Sequence, residues 1–311
     1  MENTIPIKMV TSHKLQVLTA KETRMQKFCF STILSACLLI AAALFSAGCT
    51  TRPDKYGVQP FGVVGAEADV YIFAPVSGNE PLLKALLAVF VPEETTDRYL
   101  SRTSALYVGL RYETEPSITA ASVGSYPINL AGLLFSKKDG WEKRHSSGAG
   151  DISYYHSETA DIAFRSSHNA FVLLGGSARN TEAFLQRISV PQSPAFPLRF
   201  QTLIENGTAG EAGVYVRSGY RIASHMLGLQ DIELPIQSIE LYLKKESEKT
   251  YRYSAVFEAT NARTALILRV LIGNVMTGKL SVQGSSLFIE NADISEMELI
   301  KLLRSFYIEK R

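Results

Sequence analysis

The stretch Ala68–Ile72, with the sequence ADVYI, recurs in altered form as AGVYV at Ala212–Val216. Both copies alternate and are rich in Val, Ile and Tyr, which favour half-buried β-strands. After each copy, a helix, two strands, an apolar helix, further strands and a closing helix are predicted. Because the order of elements repeats, the sequence predicts an α+β fold of two similar halves, each with a mixed or antiparallel sheet and packed apolar helices.

Within the first half, Leu82–Val91 is predicted to be a buried apolar helix that ends at Pro92. Strands are predicted at Thr103–Tyr112 and Ser117–Val123. Four short runs separated by Gly, Ser and Asn then predict an antiparallel meander. These runs are Trp141–His145, Ile152–His156, Asp161–Arg165 and Ala170–Leu174.

The second half ends in two predicted helices whose caps are visible in the sequence. Asn261 is predicted to cap an apolar helix at Ala262–Ile272. Asp293 and Glu296 are predicted to form a capping box on a final helix at Ser295–Phe306.

An uncharged and largely apolar run of about twenty residues extends from Phe28 to Cys49. Lys21, Arg24 and Lys27 precede it, and basic residues resist translocation across a membrane. A basic flank, an apolar centre and a small-residue end are typical of a secretory signal peptide. The chain after this run is therefore predicted to lie outside the cytoplasm.

The end of the run, Leu44–Cys49 with the sequence LFSAGC, resembles the lipobox of bacterial lipoproteins. The match covers Ala47, Gly48 and Cys49 and departs at Ser46, where the common pattern has Leu. The resemblance implies cleavage between Gly48 and Cys49 and a diacylglyceryl group on the Cys49 sulfur. Two or more acyl chains make such anchoring stable. Membrane lipid is thus an expected partner, the protein is expected to face the periplasm or the cell exterior, and either the inner or the outer membrane could hold it.

Three alternatives stay open. Leu34–Cys37 is a second lipobox-like stretch, but cleavage there would leave Leu38–Phe45 as an apolar N-terminal tail. An anchor helix that ends near Cys49 and is not cleaved would give the same topology. The start is also open, because Met25 would give an ordinary lipoprotein N-terminus.

These signals divide the chain into six predicted segments. They are an N-terminal extension (1–24), a signal peptide (25–48), a lipidated tether (49–66), a first α+β half (67–189), a Pro-rich linker (190–210) and a second α+β half (211–311).

Charge and cysteine content exclude some functions for the exported part. The net charge is +2, and the residues up to Cys49 carry five cations and two acids, which leaves −1 for the rest. A near-neutral domain lacks the basic patch typical of nucleic-acid binding. All three cysteines, Cys29, Cys37 and Cys49, lie in the signal region. A cysteine nucleophile and a Cys-ligated metal are therefore excluded after Cys49.

The densest polar cluster after the signal region consists of His145, Asp151, His156, Asp161 and His168. These residue types occur in Ser–His–Asp and metal sites. The sequence has neither a Gly-x-Ser-x-Gly nor a His-Glu-x-x-His motif, and no metal or cofactor site is predicted. The interpretation is a non-catalytic domain for ligand or partner binding or for envelope assembly, with an envelope protein or a glycan as partner. An exported envelope hydrolase with one of the three histidines as base is the alternative.

Overall fold

Strands β1 (Val70–Pro75) and β8 (Glu211–Val216) lie side by side in the middle of a twelve-stranded sheet. Strand β1 contains Val70–Ile72 of the first recurring stretch and β8 contains all of the second, and their antiparallel pairing puts Tyr71 opposite Tyr215. The two rings stack with their centroids 6.3 Å apart and 17° between their planes. The described strands of both predicted halves thus join in one sheet. The α+β class is confirmed, whereas the division into two similar halves stays a prediction.

The computed structural model describes residues 60–88, 93–111, 117–125, 135, 137–146, 152–157, 162–166, 172–177, 194–206, 210–217, 219, 235–274 and 278–301. Besides β1 and β8, the strands are β2 Thr103–Arg111, β3 Ser117–Gly124, β4 Glu142–Ser146, β5 Ile152–Ser157, β6 Ile162–Ser166, β7 Val172–Ser177, β9 Ile236–Lys245, β10 Thr250–Ala259, β11 Lys279–Gln283 and β12 Ser286–Ser295. The helices are α1 Pro60–Val64, α2 Glu80–Leu87, α3 Glu93–Leu100, α4 Leu198–Asn206, α5 Ala262–Gly273 and α6, residues 296–301. A short 3₁₀ turn occupies Lys137–Asp139.

The strand order across the sheet is β11-β12-β10-β9-β8-β1-β2-β3-β7-β6-β5-β4, and every neighbouring pair is antiparallel. The predicted meander is confirmed, because β4 to β7 pair consecutively at one end of the sheet. Among the described strands, β4 and β11 lie at the two ends of the sheet.

The central strand β1 is apolar on both of its faces. Val70 and Ala74 belong to one buried cluster, and Tyr71 and Phe73 belong to another. Because side chains alternate along a strand, these two clusters lie on opposite faces of the sheet. Helices cover both faces of the sheet near its centre, where β1 lies.

Each face of the sheet has its own helices. Leu83 of α2, Leu268 of α5 and Leu299 of α6 are buried in the cluster that contains Val70. Phe61 of α1 and Phe200 of α4 are buried in the cluster that contains Tyr71. The second cluster is dominated by aromatic rings in mostly edge-to-face or tilted contacts, with centroids 5.0–6.3 Å apart.

Two strand glycines let helices α1 and α4 approach the sheet closely. A Cβ on Gly109 of β2 would lie 2.4 Å from a Val64 side-chain carbon on α1. A Cβ on Gly213 of β8 would lie 2.5 Å from Leu203 and 2.9 Å from Phe200 on α4. These glycines therefore set the helix-to-sheet distance on this face.

The segments predicted as a tether and as a linker both contain packed helices. The predicted tether, 49–66, includes α1, whose residues are all buried. The predicted linker, 190–210, includes α4, and its Phe200 is fully buried. In both segments aromatic side chains pack against the sheet, and this burial outweighs the local proline and glycine signals on which the prediction was based.

Other helices differ from those predicted from the sequence. Helix α2 begins at Glu80, and α3 at Glu93–Leu100 was not predicted; residues 89–92 lie outside the described residues. The predicted Asp293–Glu296 capping box is wrong, because β12 continues to Ser295. The Ser295 hydroxyl instead accepts from the Glu298 backbone N–H at 3.2 Å, and the Ser295 N–H donates to the Glu298 carboxylate at 3.2 Å.

Candidate membrane-contact site

Helix α5 is held at one end of the sheet by β10, which precedes it, and β11, which follows it. The Asn261 side chain accepts a hydrogen bond from the Thr264 backbone N–H at 2.9 Å, which confirms the predicted cap. The helix packs against β10, β11 and β12. Its start and its orientation on the sheet are therefore fixed by the cap and by the two flanking strands.

The inner face of α5 is part of the protein core. Thr264, Ala265, Leu268 and Ile272 are buried, and Ala265 and Leu268 have no exposed surface. Their spacing of one, three and four residues places them on one side of a helix. This side alone accounts for the packing of α5 on the sheet.

The outer face of α5 is also apolar. The exposed fractions are 53% for Leu266, 50% for Ile267 and 67% for Val270. With the exposed Arg263, these residues have the spacing i, i+3, i+4, i+7 and form one outward row. Single exposed apolar residues are common on proteins, whereas three adjacent ones form a patch of the kind found at interaction surfaces.

The sequence predicted the helix but not its exposed apolar row. The signal was present, because apolar residues occur on every side of ARTALILRVLIG. A helix that lies on one face of a sheet buries only one of its sides. Helix α5 has more apolar residues than its buried side can hold. These additional residues could have identified a second, exposed apolar surface.

Two other helices each have an exposed large apolar residue. They are Leu198 on α4, which is 80% exposed, and Met297 on α6, which is 78% exposed. In the described part of the chain, no helix has both the length and the apolarity that a membrane span requires.

The predicted polar cluster is only partly within the described residues. His145 lies on the terminal strand β4, is exposed, and its Nδ1 is 3.2 Å from the Ser153 hydroxyl. His156 lies on β5 and is buried. Because His145 pairs with Ser153 and His156 pairs with Glu142, the two histidines occupy opposite faces of the sheet. The structure does not bring these two histidines into one site.

The remaining members of that cluster, Asp151, Asp161 and His168, lie outside the described residues, as do Gly48 and Cys49. Within the described ranges, no group of three His, Cys, Asp or Glu side chains is arranged to hold a metal ion. The lipidation site and the alternative of a hydrolase with one of the three histidines as base stay predictions.

A polar cluster that the sequence did not reveal holds α4 against the sheet. The Arg199 guanidinium lies 3.8 Å from the centroid of the Tyr242 ring and donates to the Ser254 hydroxyl at 2.9 Å. The Tyr242 hydroxyl donates to Glu240. Burial, followed by the hydrogen bond to Glu240, raises the pKa of Tyr242 far above its usual value. Tyr242 therefore stays neutral and acts as a packing and hydrogen-bonding group.

Comparisons with known proteins identify a related family. The model of a family described as outer membrane-associated lipoprotein TP0453 matches residues 55–300. The outer membrane protein TP0453 of Treponema pallidum (strain Nichols) is 30% identical over 274 residues, which cover 88% of this chain and 94% of the relative.

Solved structures of TP0453 have a similar fold. Crystal form I has a TM-score of 0.69 and 29% identity and covers 81% of this chain and 99% of its own. Crystal form III has a TM-score of 0.69 and 28% identity and covers 81% of this chain and 100% of its own. The prediction of a bacterial lipoprotein is confirmed by these findings, and the chain belongs to the TP0453 family of outer membrane-associated lipoproteins.

Proposed function

We propose that this lipoprotein is a non-catalytic membrane-binding protein, anchored through acyl chains on Cys49 and lying on the lipid surface through the outer face of α5. The observation that carries the proposal is the exposed row of Leu266, Ile267 and Val270. The name of the related protein TP0453 places that protein at the outer membrane. A lipid surface is the partner that an outward apolar row on an anchored protein fits best.

The strength of this contact can be estimated from the exposed fractions. Full burial of a Leu, Ile or Val side chain contributes about 1.5–3 kcal/mol. Leu266, Ile267 and Val270 are between half and two-thirds exposed. Entry into lipid would therefore contribute roughly 1 kcal/mol each and about 3 kcal/mol together.

A contact of that size is weak for a protein that diffuses freely. Acyl chains on Cys49 would keep α5 close to the bilayer, and the resulting effective concentration makes a weak second contact persist. The acyl anchor and the outer face of α5 thus have different roles in membrane binding. The acyl chains hold the protein on the membrane, and α5 sets which surface of the domain meets the lipid.

A fluorescent probe on α5 tests the proposal with the full, anchored chain. Ile267→Cys is introduced together with Cys29→Ser and Cys37→Ser and is labelled with an environment-sensitive dye. The protein is then reconstituted into vesicles of phosphatidylcholine and phosphatidylglycerol. We expect a blue-shifted emission and quenching by lipid-linked quenchers, because the probe would lie in the lipid.

Two variants serve as controls for that measurement. A probe at Lys143→Cys, an exposed position on β4 at the other end of the sheet, should keep its aqueous emission. Adding Leu266→Glu and Val270→Glu should return the probe at position 267 to water. Aqueous emission from position 267 on vesicles, or a blue shift that survives both glutamates, would contradict the proposal.

A further inference from the structure

We infer that Arg263 and Arg269 bind the phosphates of acidic phospholipids, so that α5 selects anionic over zwitterionic lipid surfaces. This inference rests on the proposed contact of α5 with lipid and identifies the class of lipid that the helix takes. It is carried by the position and exposure of these two arginines and by the absence of an ion pair to either of them among the described residues.

The two arginines border the apolar row on the outer face of α5. Arg263 begins the row, three residues before Leu266, and Arg269 lies three residues after Leu266 at the edge of the row. Both arginines are exposed. Long arginine stems can follow apolar side chains into a lipid interface while the guanidinium stays at the level of the headgroups. The planar guanidinium also matches a phosphate group through two parallel hydrogen bonds, and in an acidic phospholipid no choline cation offsets the charge of that phosphate.

The described contacts of the folded protein do not account for the positive charges of Arg263 and Arg269. Helix α5 has no acidic residue, and no ion pair holds either guanidinium among the residues that the structure describes. Arg263 lies in the first turn, where the helix dipole disfavours a cation. A cation that is unpaired and disfavoured by its own helix is available for an anion outside the protein.

The structure also contains a second group of exposed cations, which serves as a matched control. Lys137, Lys138 and Lys143 are exposed in the 3₁₀ turn before β4 and on β4 itself. Strand β4 is at the opposite end of the sheet from β11, against which α5 packs. A charge effect that acts through α5 should therefore depend on the two arginines and not on these lysines.

The experiment uses the full anchored chain with the probe at position 267. The ratio of lipid-inserted to water-exposed probe is measured in vesicles of pure phosphatidylcholine and in vesicles with increasing phosphatidylglycerol. Each basic residue near an anionic surface strengthens binding about fivefold. Arg263→Gln with Arg269→Gln should therefore lower the ratio about 25-fold in phosphatidylglycerol vesicles and leave it unchanged in phosphatidylcholine.

Three further measurements decide the outcome. Arg263→Lys with Arg269→Lys should keep most of the preference, and high salt should remove it from the unsubstituted protein. A probe that enters both lipids equally would overturn the inference and leave the proposed function standing. A preference that is lost in Lys137→Gln with Lys143→Gln would also overturn it. A probe that enters neither lipid would instead overturn the proposed function.

Discussion

At the residue scale, Tyr251 and Tyr242 are two buried tyrosines with different hydrogen bonding. The Tyr251 hydroxyl is fully buried and has no hydrogen-bond partner within the described ranges. The Tyr242 hydroxyl donates to the buried Glu240. Loss of an unpaired hydroxyl costs little, whereas loss of a donor to a buried carboxylate leaves that carboxylate unsatisfied.

The first prediction concerns the alkaline stability of the protein. Burial, with Glu296 adding to it, raises the pKa of Tyr251 from 10.0 to about 12. Below pH 10 this tyrosine is protonated in both the folded and the unfolded state. Between pH 10 and about 12 only the unfolded state loses the proton, so the free energy of unfolding should fall by about 1.4 kcal/mol per pH unit for this group.

Tyr251→Phe should remove that part of the pH dependence and leave the stability at pH 7 nearly unchanged. Tyr242→Phe should also reduce the alkaline slope, but it should cost about 1–3 kcal/mol at pH 7 because Glu240 loses its donor. Urea unfolding at several pH values measures both quantities. An unchanged slope in Tyr251→Phe would contradict the assignment of the buried proton.

At the element scale, the position of α4 depends on one glycine beneath it. Gly213→Ala would place a methyl group 2.5 Å from Leu203 and 2.9 Å from Phe200. We expect a loss of about 1–3 kcal/mol in the free energy of unfolding, because such overpacking shifts the helix or strains its side chains.

A second substitution distinguishes this clash from a general effect of alanine in a strand. Leu203→Ala makes room for the new methyl group. It should therefore cost less stability in the Gly213→Ala background than in the unsubstituted protein, and a double-mutant cycle measures the difference. Strictly additive losses would show that α4 and Gly213 are not coupled.

Helices α1 and α4 show how far the sequence determines this fold. Strands such as β2 and β9 could be predicted because alternating apolar residues report a half-buried sheet directly. Helices α1 and α4 could not, because each is short and lies among proline and glycine signals. Phe61 and Phe200 make them stable through contacts with strands that are distant in sequence, and local patterns contain no record of such contacts.

The candidate site was predictable to a similar degree. The Asn261 cap and the apolar helix after it follow from local residue types. The exposure of Leu266, Ile267 and Val270 depends on how many sides of α5 the sheet covers. That number is a property of the assembled sheet, so the sequence indicated the helix and the structure identified its free face.

At the scale of the whole molecule, the proposed lipid contact lies near one end of a wide sheet. Twelve strands at about 4.8 Å spacing separate β11 from β4 by up to roughly 50 Å. Helix α5 packs near the β11 end, and the exposed lysines lie near the β4 end. A domain that rests on lipid through α5 would therefore present its β4 end as a separate surface, away from the contact.

The last prediction concerns the anchor that brings this domain to the membrane. If Cys49 carries the acyl chains, labelled palmitate should enter the unsubstituted protein and the Cys37→Ala variant equally, because Cys37 lies in the part that is removed. Cys49→Ala should take up no label and should keep the residues before position 49, since cleavage at a lipobox follows acylation of its cysteine. Intact-mass measurement of the purified proteins separates these products.

Labelling that persists in Cys49→Ala and disappears in Cys37→Ala would move the anchor to the other lipobox-like stretch. A full-length unlabelled protein in the membrane would replace the lipid anchor with an uncleaved helix, and α5 would then meet the bilayer from a different tether.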